Sequence, residues 1–112
     1  MKKKEIIKKN YDYTKIIKKG RKISSNYYSI YYLKNNTNHY GISIPTKIGN
    51  AVVRNKIKRQ IKNIIDNYKK NLQINNDYVI IVKKSLLELN FKEKEKEFIN
   101  LIKKIGDKDE KK

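Results

Sequence analysis

The most regular pattern in the chain is NAVVRNKIKRQIKNIIDNYKKNL, which spans residues 50–72. At the roughly 100° turn per residue of an α-helix, its apolar side chains share one face: Val53, Ile57, Ile61, Ile64, Ile65 and Tyr68. Six polar side chains share the opposite face: Arg54, Asn55, Lys58, Arg59, Lys62 and Lys69. The segment therefore predicts a helix that buries one side and presents cations on the other.

Upstream of this helix, the pattern predicts one helix and two strands. Residues 10–19 place apolar side chains at helical spacing, with Asn10 as the N-cap and Gly20 as the stop. Residues 26–33 and 39–45 instead alternate in the manner of strands and are rich in tyrosine and isoleucine. The turn-forming residues between them predict that these two strands pair as a hairpin.

Downstream, residues 78–82 (YVIIV) form a continuous apolar run, which is typical of a strand buried on both faces. Residues 83–89 predict a connector that holds a helical turn. A last helix opens at Asn90, where Glu93 completes a capping-box pattern. Its apolar stripe consists of Phe91, Phe98, Leu101, Ile102 and Ile105.

The order of these elements, α-β-β-α-β-α with room for one further short strand, predicts a mixed α+β fold. We expect a two-layer sandwich in which helices pack on one small sheet of about four strands. The 112 residues predict a single domain. Its ordered core is expected over residues 7–105, and a disordered tail over the charged residues 106–112.

The charge of the chain predicts a polyanionic partner. Its 29 Lys and Arg residues against 11 Asp and Glu residues give a formal net charge of +18. Like charges crowded on a small particle repel one another, and a polyanion relieves that repulsion. Arginine occurs only at Arg21, Arg54 and Arg59, so two of the three arginines lie on the predicted basic helix. Nucleic acid and an anionic membrane surface are the two candidate partners.

Several classes of function are excluded by composition. There is no cysteine and only one histidine, His39, so neither thiolate catalysis nor a zinc site that relies on sulfur is expected. The carboxylates lie singly or alternate with lysines, so we expect no catalytic residue, no metal site and no small-molecule substrate on this chain. No segment is apolar enough to span a membrane, and we expect a cytoplasmic protein.

The tyrosine-rich strand offers a second candidate surface. In an extended strand, Tyr27, Ser29 and Tyr31 would share one face, while Tyr28 and Tyr32 would face the core. Exposed aromatic rings interleaved with lysines suit single-stranded RNA, because bases stack on the rings and cations follow the backbone.

Residues 47–59 (KIGNAVVRNKIKR) closely resemble the signature of the bacterial ribonuclease P protein component, with Arg54-Asn55-Lys56 in place of its Arg-Asn-Arg motif. Segments in family order on both sides extend the resemblance to about residues 7–105. They include Lys8-Lys9-Asn10, Gly41-Ile42-Ser43, Asp77-Tyr78-Val79-Ile80-Ile81 and Leu89-Asn90-Phe91.

This resemblance implies a subunit of the endonuclease that removes the 5′ leader of precursor tRNA. In that family a large RNA holds the catalytic Mg²⁺ ions and cleaves the phosphodiester. The basic helix lies in a left-handed βαβ crossover and binds the catalytic RNA, here through Arg54, Asn55, Lys56, Lys58, Arg59 and Lys62. A cleft between the first helix and the sheet binds the leader, here lined by Tyr13, Ile17, Tyr27, Ser29, Tyr31 and Lys47.

The sequence departs from the family pattern at four points. Lys56 replaces an arginine and keeps the charge but loses the forked geometry. Ile17 replaces an aromatic residue and Ser29 a bulkier apolar one, so weaker leader stacking is expected. Pro45-Thr46 replaces Ser-Lys and removes one cation before Lys47.

Two other functions remain open on the sequence. A small structural RNA-binding protein of the ribosomal type would have the same composition. A basic amphipathic helix can also lie on anionic lipid, provided that its apolar face is free.

Overall fold

The computed structural model describes residue 7 and residues 10–34, 39–68 and 76–110. Over these residues the chain forms three helices and four strands, with short 3₁₀ turns at Thr46–Ile48 and Lys84–Glu88. In chain order they are α1 (Asn10–Lys19), β1 (Arg21–Ser24), β2 (Tyr28–Lys34), β3 (His39–Ser43), α2 (Ala51–Tyr68), β4 (Asn76–Val82) and α3 (Phe91–Glu110). The predicted α+β class is confirmed.

The strands form one mixed sheet in the order β1-β2-β4-β3. Strand β2 is antiparallel to both β1 and β4, whereas β3 is parallel to β4. The predicted hairpin between β2 and β3 is therefore wrong, because β4 lies between them. A strand that is apolar on both faces is stable only in the middle of the sheet, which places β4 there. The βαβ crossover from β3 through α2 to β4 is present, and its left hand stays a prediction.

The sequence pattern left room for one further short strand but did not locate it, and the structure shows that this strand is β1. It pairs with β2 across a tight turn in which the Ser25 hydroxyl accepts hydrogen bonds from the backbone N–H groups of Tyr27 (3.2 Å) and Tyr28 (3.3 Å). The Ser25 N–H donates to the Tyr28 carbonyl at 2.9 Å and closes the turn. The true hairpin is thus β1–β2.

The two faces of the sheet carry different layers. Helices α2 and α3 cover one face, where Tyr28, Ile30 and Tyr32 are buried as predicted. Helix α1 covers part of the other face, where Ile16 packs on Val79. The predicted apolar stripe of α2 is confirmed, since four isoleucines of this helix are buried in the main core: Ile57, Ile61, Ile64 and Ile65.

The predicted ends of the two long helices have different outcomes. Helix α2 is described to Tyr68, and its predicted end near residue 72 lies outside the described residues. Helix α3 runs to Glu110, past the boundary expected at residue 105. A glycine inside a helix costs only about 1 kcal/mol relative to alanine, so Gly106 weakens the helix without ending it. The capping box is confirmed: the Asn90 side chain accepts the backbone N–H of Glu93 at 2.9 Å, and the Glu93 side chain accepts the backbone N–H of Asn90 at 3.0 Å.

The junction between α1 and the sheet predicts a measurable loss of stability. A Cβ on Gly20 would lie 2.5 Å from the Ile16 carbonyl oxygen and 2.6 Å from the Tyr32 carbonyl oxygen. Because both obstacles are backbone atoms, Gly20→Ala should lower the free energy of unfolding by about 1 to 3 kcal/mol in urea denaturation. The exposed control Ser24→Ala should change it by less than about 0.5 kcal/mol. Equal stability of the two variants would contradict the close packing.

Candidate nucleic-acid interface

The fold holds helix α2 firmly at its first turn. The Asn50 side chain caps the helix, and its Oδ1 accepts the backbone N–H of Val53 at 3.0 Å. The Arg54 Nε donates to the Gly49 carbonyl oxygen at 3.1 Å and ties the helix to the preceding turn. With Ile57 and Ile61 buried below, the outward side chains of α2 project from a fixed backbone.

The outward side of α2 carries a continuous basic surface, which we call the α2 strip. Val52, Asn55, Lys58, Arg59 and Lys62 line one shallow depression there. Over the described part of the chain, no carboxylate pairs with these three cations. Forked guanidinium and compact ammonium groups at fixed helical spacing suit the phosphates of a folded nucleic acid.

Two members of the predicted motif lie beside the strip rather than in it. Arg54 is half-buried, and its bond to Gly49 leaves further guanidinium N–H donors for a phosphate. Lys56 is exposed on the other flank, one helical turn before Gln60, which contacts α3. The structure therefore brings together four of the six predicted RNA-binding residues and places the other two on either side of them.

The second surface is the sheet face that α1 partly covers, which we call the cleft face. Strand register sets two rows of side chains across it. One row contains Lys22, Tyr31, Val79 and Gly41, and the next contains Ser24, Ser29, Ile81 and Ser43. Tyr31 is half-buried, and the Lys22 ammonium lies 5.5 Å from the centre of its ring. An aromatic ring therefore lies next to a cation on this face, as single-strand binding requires.

Helix α1 brings Tyr13 onto the cleft face. A Cβ at Gly41 would lie 2.6 Å from the Tyr13 ring carbon that bears the hydroxyl, so the glycine is what allows the phenol to approach β3 this closely. Burial raises the pKa of the Tyr13 phenol, which keeps the hydroxyl protonated as a hydrogen-bond donor. Ile17, one turn further along α1, is 40% exposed beside it.

The remaining predicted cleft residues have different outcomes. Ser29 lies on the cleft face but is only 8% exposed. The placement of Tyr27 with Ser29 and Tyr31 is wrong, because the turn at Ser25 interrupts the strand and Tyr27 packs against the core on the opposite side. Lys47 is exposed in the 3₁₀ turn between β3 and α2, away from the strand rows.

Sequence reasoning missed three residues of these surfaces. Lys22 and Ser24 belong to β1, a strand of four residues whose alternation is too short to register as a pattern. Val52 is 76% exposed at the edge of the α2 strip. An apolar residue on the polar side of a predicted amphipathic helix was the available signal for it.

The remaining features of the described residues concern metal-ligating side chains, the histidine and membrane-spanning helices. No group of three or more metal-ligating side chains occurs among them. His39 is half-buried, and its Nδ1 lies 2.8 Å from Asp77 Oδ1 across the parallel β3–β4 pair. Across the described ranges, no helix is long and apolar enough to cross a membrane.

A domain with an unneutralised cationic helix on one side of its sheet and tyrosines beside a lysine on the other is a nucleic-acid-binding protein. The ribonuclease P family model matches residues 1–106, and the chain belongs to that family. It is accordingly the protein component of a ribonucleoprotein endoribonuclease of tRNA processing, whose partner is the ribonuclease P RNA.

Individual relatives agree with this assignment. The chain is 44% identical to the ribonuclease P protein component of Mycoplasma mycoides, over 94% of this chain and 99% of that protein. It is 39% identical to that of Streptococcus agalactiae, over 95% and 98%. Its fold matches the ribonuclease P protein structure of Staphylococcus aureus with a TM-score of 0.83 and 29% identity, over 88% of this chain and 93% of that one. It matches the ribonuclease P protein structure of Thermotoga maritima with a TM-score of 0.82 and 26% identity, over 89% of this chain and 96% of that one.

The α2 strip predicts that polyvalent anions stabilise the native state. Pyrophosphate at about ten times its dissociation constant should add about 1.4 kcal/mol to the free energy of unfolding, which raises the melting temperature by about 5 °C or more. Differential scanning fluorimetry against NaCl of equal ionic strength measures the effect. Arg59→Ala should reduce the shift, and an equal shift in both proteins would place the anion elsewhere.

Proposed function

We propose that the α2 strip, with Arg54 and Lys56 beside it, binds the ribonuclease P RNA. The observation that carries this assignment is the row of exposed cations on α2 without a carboxylate partner among the described residues. The contact is favoured because these charges face solvent and release condensed counterions from the RNA when they bind its phosphates.

We further propose that the cleft face binds the single-stranded 5′ leader of precursor tRNA. Tyr13 and Tyr31 supply partly exposed rings, and Lys22 places a cation next to one of them. Stacking on such rings tolerates any base, which suits leaders of varied sequence. The hydroxyl groups of Ser24 and Ser43 lie in the adjacent row and provide polar contacts for the backbone.

The catalytic Mg²⁺ ions are assigned to the RNA. Mg²⁺ prefers oxygen ligands in octahedral arrangement, and the described residues contain no carboxylate cluster that fits this need. The role of this chain is to hold the RNA and the leader in position relative to each other. We place the protein in the cytoplasm, where precursor tRNA is processed. An anionic membrane is a poorer partner, because the apolar face of α2 is buried at Ile57, Ile61 and Ile64.

Reconstitution tests the assignment of chemistry to the RNA. The purified protein alone should leave precursor tRNA intact. Added to the RNA subunit at a Mg²⁺ concentration too low for the RNA alone, it should restore leader removal, because its cations offset phosphate repulsion as the complex assembles. A small basic ribosomal protein of similar charge serves as the control and should not replace it. Cleavage by the protein alone would refute the assignment.

Leader binding should depend on Tyr31 and not on Tyr27. In the reconstituted complex, precursor tRNA with a long leader should bind more tightly than one with a single leader nucleotide. Tyr31→Ala should remove about five- to a hundredfold of that difference, because each lost stack is worth about 1 to 3 kcal/mol. Tyr27→Ala removes the same ring from the opposite side of the sheet and should keep the leader dependence. Equal loss in both variants would exclude the cleft face as the leader site.

A further inference from the structure

Lys94 occupies an unusual position for a charged residue. It lies in the first turns of α3, within the apolar stripe, between Phe91 and Phe98. Its side chain is only 8% exposed, whereas its neighbours Lys92 and Lys96 on the same helix are exposed. Lysine is rarely buried unless it is paired with an anion.

The structure gives Lys94 polar contacts but no counter-ion. Its Nζ donates to Oε1 of Gln60 on α2 at 2.9 Å, and its backbone carbonyl accepts the Tyr28 hydroxyl at 2.9 Å. The adjacent carboxylate of Glu93 is bonded to the Asn90 backbone N–H in the capping box. Among the described residues, no carboxylate forms an ion pair with Lys94.

Three effects oppose a positive charge at this point. Burial lowers the pKa of Lys94, and the neighbouring charge of Lys56 lowers it further. The third is the partial positive charge at the N-terminus of α3. An apolar side chain of the same length would satisfy the packing without these penalties. A buried cation that has a neutral hydrogen-bond partner but no counter-ion inside the protein is a candidate for binding an anion outside it.

Lys56 supplies the second half of the site. It precedes Gln60 by one helical turn on the flank of α2 that faces α3, and it is exposed. Only one N–H of the Lys94 ammonium group is needed for the bond to Gln60, so further donors remain. Gln60 therefore connects the turn of α2 that carries Lys56 to Lys94 on α3, and among the described residues no carboxylate forms an ion pair with either lysine.

We propose that Lys56 and Lys94 together bind a backbone phosphate of the ribonuclease P RNA, so that the interface extends from α2 onto α3. This inference rests on the proposed binding of that RNA by α2. A phosphate at this point would supply the missing counter-ion to both lysines. Gln60 holds the Lys94 ammonium in place before binding, which reduces the ordering needed on association.

The test uses Lys94→Met, which keeps the length of the side chain and removes its charge, in the full chain with the ribonuclease P RNA. Lys94→Met should retain or raise the urea midpoint, because it removes a buried cation. Affinity for the RNA should nevertheless fall about tenfold or more. The slope of log affinity against log salt should decrease by about 0.7 to 0.9. The control Lys96→Met removes an exposed charge from the same helix and should change affinity by less than about twofold.

Lys56→Met gives a second, independent variant, because Lys56 is exposed and has no role in the core. It should weaken RNA binding, and its effect should not add to that of Lys94→Met, since the two lysines share one phosphate. The proposal would be overturned if Lys94→Met loses stability while its RNA affinity and salt slope are the same as those of Lys96→Met. If Arg59→Ala lowers the salt slope in that case, only the α3 site fails; if Arg59→Ala also leaves it unchanged, the proposed α2 interface fails as well.

Discussion

The structure depends on the insertion of β4 between β2 and β3. Residues Asn76–Val82 hydrogen-bond to a strand on each side, antiparallel to β2 and parallel to β3. Both faces of β4 are then covered, one by the isoleucines of α2 and the other by α1. A parallel pair needs a long crossover connection, so α2 must span the sheet between β3 and β4. The position of the basic helix is a consequence of this strand order.

Because the crossover fixes α2 on the sheet, its charges are presented without a large loss of conformational freedom. Four isoleucines bind the helix to the core, and the Asn50 cap and the Arg54–Gly49 bond fix its first turn. A flexible basic segment would have to become ordered when RNA binds, and that ordering would weaken the complex. The net charge of +18 acts against the compact state in the free protein. RNA binding therefore relieves a repulsion that the fold itself has to withstand.

The sequence was sufficient for the parts of the fold that follow from local periodicity. The two sides of α2, the buried run in β4 and the capping box at Asn90 were all predicted, because each is set by residues close together in the chain. Strand pairing was not predicted, since it depends on which strand becomes central and not on which strands are consecutive. The placement of Tyr27 on one strand face with Ser29 and Tyr31 failed for a related reason: one serine side chain, Ser25, turns the backbone before the strand begins. Lys94 lies at helical spacing within an apolar stripe, but only the structure shows that it is buried and hydrogen-bonded to Gln60.

The strand order also places the first turn of α2 and the serine row of the cleft face at the same end of the sheet. Strands β3 and β4 are parallel, so both end near the turn of the β1–β2 hairpin, where Tyr28 pairs with Val82 and Ser29 with Ile81. Helix α2 begins at this end, after the 3₁₀ turn that carries Lys47. The first turn of the RNA-binding helix and the serine row of the cleft face therefore lie on opposite sides of one sheet edge. Under the function proposed above, a leader that leaves the cleft face at this end of the sheet passes Lys47 before it reaches the RNA on α2, and one small sheet then holds the substrate strand next to the RNA that cleaves it.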